Sequence, residues 1–223
     1  LELYNFDQIK NITIDISESD FYNTDYTIRN KIYDFIYICN KDKDSNECSM
    51  NGWNAINRNY ELALKCFPIM INEYKLKGLC VGRIGCDLSQ FGDNITITDF
   101  LPYNELQEKM RESKFLFLPN IYDASPRVVG ESLTKGLPVL MNQNIICGFK
   151  YITKETGEYF IDEHNIRNAL DNLIYKLSNN LYTTRKWWEK NYGIEKTSKK
   201  LRNFLYLQYP EILENITQVS FNI

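Results

Sequence analysis

Short apolar runs alternate with helical stretches along most of this chain, and that alternation is the strongest constraint on its fold. The runs that we interpret as strands are 33–39, 77–83, 94–102, 115–119, 137–142 and 157–161. The stretches with helical spacing of apolar residues are 53–74, 102–114, 126–135, 163–177, 181–191 and 195–208. Buried strands that alternate with helices predict an α/β fold: a doubly wound, mainly parallel sheet of about six strands with helices on both faces.

The two ends of the chain differ in character. Residues 1–33 have neither helical nor strand periodicity, and we interpret them as a linker or arm, the remnant of a preceding domain. Residues 34–223 are predicted to form one Rossmann-like domain that ends in helices. The chain begins at Leu1 rather than Met, which is compatible with a piece of a longer polypeptide and leaves an upstream domain open.

Charge and hydropathy exclude two classes of partner. The net charge is −3, the pI is about 5.4 and no run is dense in Lys or Arg, so nucleic-acid binding is not predicted. A local basic pocket for a small anion remains compatible with this composition. No apolar stretch reaches the ~18 residues that a membrane-spanning helix needs.

The six cysteines favour a reducing compartment, and we predict a cytoplasmic location. Cys39, Cys66 and Cys80 lie inside apolar runs, where free thiols behave as small hydrophobic side chains. No C-x-x-C motif occurs and His164 is the single histidine, so no metal site is predicted.

The stretch FLPNIYDASPRVVGESLTKGLPVLMN, residues 117–142, combines two apolar runs with a polar loop and a short helix. Its loop carries Asp123, Ser125 and Arg127, and Glu131 follows on the helix. In parallel sheets, ligands bind where the carboxyl ends of strands lead into helices. Free backbone N–H groups and the helix dipole at such a position favour an anion, typically phosphate.

Two common phosphate-binding motifs are absent. The VGRIGCD segment after the second strand lacks a third glycine and a following helix, so we interpret it as a turn, and no G-x-x-x-x-G-K-[ST] occurs. Phosphate would account for Arg127, whereas the carboxylates of Asp123 and Glu131 suit hydroxyl groups. A ligand that carries both phosphate and hydroxyls is a nucleotide sugar.

An acid, seven residues, a second acid and then KGLPVLMN resemble the donor-binding signature of GT-B glycosyltransferases, especially the retaining family 4 type. The resemblance covers roughly residues 34–208, the donor-binding half of such enzymes. It places Glu131 on the glutamate that binds the ribose hydroxyls and Asp123 on the acid that contacts the donor sugar. RNYELALKCF, residues 58–67, resembles the family's K-G-x-x-x-L-x-x-A-F segment, which places Arg58 on the lysine that holds the diphosphate.

The resemblance extends to further candidate residues. ITDFLPYNEL is similar to the turn whose backbone, here at Leu101 and Pro102, borders the base. The DASPRV segment adds Ser125, Arg127 and Val128 to the candidate donor-binding residues. The family's Gly-Arg after the first strand is replaced here by CNKDK, which leaves Lys41 or Lys43 as substitutes.

The resemblance implies a glycosyltransferase that uses a nucleotide-sugar donor, with retention and without a metal or cofactor. Asp123 and Arg58 would be its catalytic residues. The acceptor is unknown, and an acceptor-binding domain is expected upstream. The alternative is a non-catalytic module that binds a nucleotide sugar or a protein inside a larger polypeptide.

Each candidate residue also has a purely structural interpretation. Asp123 can cap a turn or helix, as Asp readily does. Glu131 and Arg58 can be solvated helix residues. Arg127 is unfavourable in the first turn of a helix, which favours a bound anion or an acidic partner there. Lys41 lies in a run of alternating charges that is typical of a solvated loop.

Overall fold

The computed structural model describes residues 29–42 and 47–209. Most of the predicted arm, Lys43 and the last 14 residues lie outside these ranges. The strands are β1 (Tyr33–Ile38), β2 (Gly78–Val81), β3 (Ile95–Thr98), β4 (Ser113–Leu118), β5 (Val139–Asn142) and β6 (Gly157–Phe160). The helices are α1 (Trp53–Asn57), α2 (Tyr60–Phe67), α3 (Tyr103–Arg111), α4 (Arg127–Thr134), α5 (Ile166–Ser178), α6 (Thr184–Asn191) and α7 (Ile194–Gln208).

The six strands form one parallel sheet in the order β3-β2-β1-β4-β5-β6. This confirms the predicted doubly wound, Rossmann-like α/β fold. The chain builds outward from β1 through β2 to β3, and then crosses to the other side of β1 with β4. The direction of winding therefore reverses between β1 and β4, and a crevice is expected at the carboxyl ends of these two strands.

Successive side chains of the strands pack alternately into two separate hydrophobic cores, one on each face of the sheet. On β1, Phe35 and Tyr37 face a core completed by α1, α2 and α5, and Ile36 faces one completed by α3, α4 and α6. Each of these three side chains is completely buried. The sheet is thus covered by helices on both faces, as predicted. In α6, Trp188 is buried in the second core, whereas its neighbour Trp187 is only partly buried.

The helix predicted over 53–74 is interrupted. It consists of α1, a break at Arg58 and Asn59, α2, and a final π-helical turn at Pro68–Glu73. Asn59 causes the break, because its φ of 48° lies in the left-handed region. Its side chain then accepts a hydrogen bond from the Leu62 N–H (3.4 Å) and so caps α2.

The cysteines only partly follow the prediction. Cys39, Cys66 and Cys80 are buried free thiols, as expected, and burial raises the pKa of each. Cys48 and Cys86, however, form a disulfide that joins the loop after β1 to the loop after β2. A disulfide disagrees with the predicted reducing compartment, since such bonds persist mainly in oxidising environments. The cytoplasmic location therefore stays a prediction.

Two further properties concern the described residues alone. No helix among residues 29–42 and 47–209 is long and apolar enough to cross a membrane. Within the same ranges, no group of three or more His, Cys, Asp or Glu side chains could hold a metal ion.

Candidate functional site

An ion pair lies beyond the carboxyl ends of β1 and β4, where the topology predicts the crevice. Arg58, directly after α1, donates from Nη1 to Oδ2 of Asp123, in the loop after β4. The Asp123 side chain is 12% exposed and that of Arg58 is 33% exposed, so the carboxylate is the more buried partner. The structure therefore brings together the two residues that were predicted to be catalytic.

Asn120 forms a hydrogen bond with the carboxylate of Asp123. It lies two residues after the end of β4, is completely buried, and donates from Nδ2 to Oδ2 of Asp123 (3.1 Å). Oδ1 of Asp123 accepts the backbone N–H of Ser125 (3.3 Å), which is the turn-capping contact considered as the alternative. The turn-capping contact of Asp123 is therefore present, and its role towards a donor sugar stays a prediction. Sequence analysis missed Asn120, although a buried asparagine at the end of an apolar strand is a recognisable signal.

Arg58 is held in place through its backbone. The Tyr37 hydroxyl, on β1, donates to the carbonyl of Arg58 (3.1 Å), and the N–H of Ile121 donates to the carbonyl of Asn57 (3.1 Å). Asn59 follows in its left-handed conformation, at the position where the K-G motif has glycine. Since glycine and asparagine adopt this conformation most readily, the backbone agrees with the motif at this position.

Lys41 and Leu101 lie on the β3 side of the crevice. The Lys41 ammonium, just past β1, forms a 3.1 Å ion pair with Asp99, just past β3. Leu101 packs partly buried against the second core, and Pro102 precedes the first residue of α3. This segment links the end of β3 to α3, the position that the resemblance assigns to the base.

Glu131 faces α3 rather than the ion pair. Its Oε2 lies 3.5 Å from Nε2 of Gln107, a buried side chain on α3. Its carbonyl accepts a hydrogen bond from Nζ of Lys135 (3.1 Å). Burial lowers the pKa of Lys135 to about 8, against a partial opposing effect of Glu131. No hydrogen bond or ion pair joins Glu131 to Asp123 in the described part of the chain.

The start of α4 has fewer free backbone N–H groups than predicted. The N–H of Arg127 donates to the carbonyl of Ser125 (2.7 Å), and the N–H of Val129 donates to the carbonyl of Pro126 (2.9 Å). Two of the first-turn amides that were expected to be free are therefore engaged. The side chains of Ser125 and Arg127 are exposed, and Val128 is partly buried against the second core.

The six-stranded parallel Rossmann-like sheet matches the fold of solved GT-B glycosyltransferases. The chain resembles a mutant of TarM from S. aureus, solved with fondaparinux, alpha-GlcNAc-glycerol and UDP, with a TM-score of 0.62 and 14% identity. The match covers 88% of this chain and 40% of TarM, so the chain spans less than half of that protein.

Two other solved structures have the same fold. The C-terminal domain of the glycosyl transferase group 1 family protein LpcC from Francisella tularensis has a TM-score of 0.55 and 13% identity. That match covers 74% of this chain and 88% of the domain. Sucrose-phosphate synthase from Thermosynechococcus elongatus has a TM-score of 0.56 and 15% identity, over 80% of this chain and 46% of that enzyme. No family model and no curated protein matches the sequence. At these identities the likeness establishes the fold.

Proposed function

We propose that this chain is the donor-binding half of a glycosyltransferase that transfers a sugar from a nucleotide-sugar donor. The observation that carries the proposal is the Arg58–Asp123 ion pair at the crevice between β1 and β4. A cation and an acid meet there at the position where open α/β sheets bind ligands. The presence of UDP in the TarM structure supports a nucleoside diphosphate as the ligand of this fold.

The roles in this proposal follow from charge and position. Arg58 neutralises the diphosphate leaving group, an electrostatic role that supplies much catalytic power in a water-poor site. Asp123, held by Asn120, orients the donor sugar. Glu131 accepts hydrogen bonds from the ribose, and Leu101 borders the base.

Secondary roles belong to the residues at the edge of the crevice. Lys41 adds positive charge near the β3 side, where it is now paired with Asp99. Ser125, Arg127 and Val128 line the approach to the phosphates at the start of α4. The nucleotide sugar is the substrate, and the proposal requires neither a metal nor a resident cofactor. Transfer is proposed to proceed with retention.

The acceptor is proposed to be held by a further domain of the polypeptide. Sugar transfer needs donor and acceptor fixed against each other with water excluded. The match to 88% of an isolated C-terminal domain, compared with 40% of TarM, supports the proposal that this chain supplies the donor half.

Calorimetric titration of the chain with UDP, with other nucleoside diphosphates and with a panel of nucleotide sugars tests the proposal. Each titration is run with EDTA and with a divalent cation. We expect binding that survives EDTA. Arg58→Met should weaken it by about 1.5–3 kcal/mol, the range for hydrogen bonds to charged groups. Glu131→Gln should weaken the binding of nucleotides that carry ribose by about 1–3 kcal/mol.

The matched control is Arg167→Met. Arg167, on α5, forms an exposed ion pair with Glu73 rather than with Arg58 or Asp123, and this variant should bind as the wild type does. The proposal fails if no nucleoside diphosphate binds, or if the Arg58 variant keeps the wild-type affinity. Binding without transfer in the full polypeptide would favour the non-catalytic module.

A further inference from the structure

A buried arginine, Arg83, lies beside the crevice without forming part of it. It follows β2 in the VGR segment, which was predicted to be a simple turn, and its side chain is 1% exposed. Its three nitrogens each have a partner. Nε donates to Sγ of Cys39 (3.1 Å), Nη1 to the carbonyl of Ser49 (3.0 Å) and Nη2 to Oδ2 of Asp42 (3.5 Å).

All three acceptors belong to the loop between β1 and α1. Cys39 lies at the start of this loop, and Asp42 and Ser49 lie further along it. The guanidinium also packs over the ring of Tyr60 on α2, 4.7 Å from its centroid. A planar fork of donors can serve several separate acceptors at once, which the single ammonium of lysine does less well. Arg83 therefore holds the described parts of this loop, at Cys39, Asp42 and Ser49.

Asp42 connects Arg83 to α1 through hydrogen bonds. Its Oδ1 accepts the N–H of Asn54 (2.5 Å) and its Oδ2 accepts the N–H of Ala55 (3.3 Å), both in the first turn of α1. The Asp42 side chain is 8% exposed, so these contacts are shielded from water. A helix of five residues has little stability of its own, and its direction depends on what holds its ends.

Arg58 is the residue that directly follows α1. The orientation of α1, together with the Tyr37 contact to the Arg58 carbonyl, thus decides where the Arg58 guanidinium meets Asp123. A continuous set of contacts leads from Arg83 through Asp42 and α1 to Arg58. Arg83 itself is too buried to contact a ligand, and its nitrogens are already engaged.

We propose that Arg83 is a positioning residue of the donor site: through Asp42 it orients α1 so that Arg58 meets Asp123 and a donor diphosphate. This inference rests on the proposed function for the identity of the ligand. The Cys48–Cys86 disulfide ties the same two loops together, one residue before Ser49 and three residues after Arg83. It is a second, covalent constraint on the same loop.

The first test needs no ligand. The coupling between Arg58 and Asp123 is measured from denaturant unfolding of the two single variants and the double variant. The cycle is then repeated in an Arg83→Met background. We expect the coupling to be present in the wild type and lost in this background. An unchanged coupling would overturn the proposal.

The control is a second cycle on the exposed pair Glu73–Arg167, which shares no partner with Arg83 or Arg58, in the same two backgrounds. Its coupling should not change. If both couplings fall together, Arg83 stabilises the fold as a whole and the positioning role is wrong. If Arg83→Met does not fold, Asp42→Asn decides, because it leaves the Cys39 and Ser49 contacts of Arg83 in place. With Asp42→Asn the Arg58–Asp123 coupling should again fall, and an unchanged coupling rejects the proposal.

A second test measures UDP binding. Arg83→Met should raise the dissociation constant about tenfold in the wild-type background and should have no further effect once Arg58→Met is present. Arg83→Lys should not restore the affinity. Additive effects of the Arg83 and Arg58 substitutions would contradict the proposal. If the wild type binds neither UDP nor any other nucleoside diphosphate, the proposed function fails, while the coupling measurements still report on Arg83.

Discussion

Arg58 and Asp123 lie 65 residues apart in the sequence and form an ion pair at the crevice between β1 and β4. The two partners are not equivalent. Asp123 keeps hydrogen bonds from Asn120 and from the Ser125 N–H when Arg58 is removed, but it is mostly buried. Arg58 is one-third exposed and can be solvated when the carboxylate is neutralised. The pair therefore predicts an asymmetry in stability.

Arg58→Met should lower the free energy of unfolding by about 1–2 kcal/mol, because it leaves a mostly buried carboxylate without its cation. Asp123→Asn should cost less than about 1 kcal/mol, since the remaining guanidinium is accessible to water. Urea unfolding of both variants at pH 7 measures the difference.

The comparison needs an exposed ion pair as a reference. Arg167→Met removes the cation of an ion pair whose side chains are both more than 40% exposed, and it should change stability by less than about 1 kcal/mol. A larger loss for Asp123→Asn than for Arg58→Met would show that the carboxylate, and not the guanidinium, is the group that water can solvate.

Cys48 and Cys86 provide the second prediction. The disulfide joins residues 38 apart in sequence, so reduction should lower the free energy of unfolding by about 2–4 kcal/mol through the greater freedom of the unfolded chain. The measurement is denaturant unfolding with and without a reductant. The double variant Cys48→Ser and Cys86→Ser should be as unstable as the reduced protein and insensitive to the reductant.

Thiol titration provides the independent check. The chain has six cysteines, so denatured protein prepared without a reductant should contain four reactive thiols. Six reactive thiols after oxidative preparation would mean that the disulfide does not form, and the prediction of a reduced chain would then hold.

The sheet could be predicted from the sequence because its strands are buried on both faces. Such strands are continuous apolar runs, as in residues 115–118, and the run itself marks the element. The break at Asn59 could not be placed from periodicity, because α1 and α2 both continue the apolar spacing across it. The glycine of the K-G motif does mark this position, since glycine and asparagine adopt the left-handed conformation most readily.

The supporting residues of the site could not be predicted, for a different reason. The three acceptors of Arg83 are 34 to 44 residues away in sequence, so no local pattern indicates that a VGR turn holds the loop after β1. The resemblance assigned Arg58 and Asp123 to one ligand. It did not indicate that the two side chains bind each other, which depends on how the end of α1 meets the loop after β4.

Lys135 gives a prediction on pH dependence. Burial lowers its pKa from 10.5 to about 8, with Arg111 and Arg185 acting in the same direction and Glu131 and Glu108 opposing. Between these two values the unfolded state binds more protons, so this group makes the free energy of unfolding rise with pH. Relative to Lys135→Met, the wild type should gain about 1–3 kcal/mol between pH 7.5 and pH 10.

The comparison with Lys135→Met is essential because other groups act in the opposite direction. Burial raises the pKa of Cys66 to about 12, so this thiol makes stability fall as the pH rises above 9, the ordinary thiol value. Such contributions are common to both proteins and cancel in the difference. A difference that is constant from pH 7.5 to pH 10 would mean that the ammonium is solvated in the folded state.

Gly82 gives the last prediction, since it brings the ends of β1 and β2 together directly before Arg83. Its φ is 93°, and a Cβ at this position would lie 2.5 Å from the Cys39 carbonyl oxygen and 2.6 Å from Cα of Asn40. Gly136 has a similar φ of 85°, but a Cβ there would meet nothing within 4 Å. The pair therefore separates backbone strain from steric overlap.

Gly136→Ala should cost about 1–2 kcal/mol, the penalty for a side chain in the left-handed region. Gly82→Ala should cost at least about 3 kcal/mol, because the overlapping atoms are backbone and the two strand ends must move apart. That displacement shifts Arg83 relative to Asp42, so the Gly82 variant should also bind UDP more weakly than the Gly136 variant. Urea unfolding and UDP titration of both variants test this, and equal losses of stability would show that the strand ends can separate without cost.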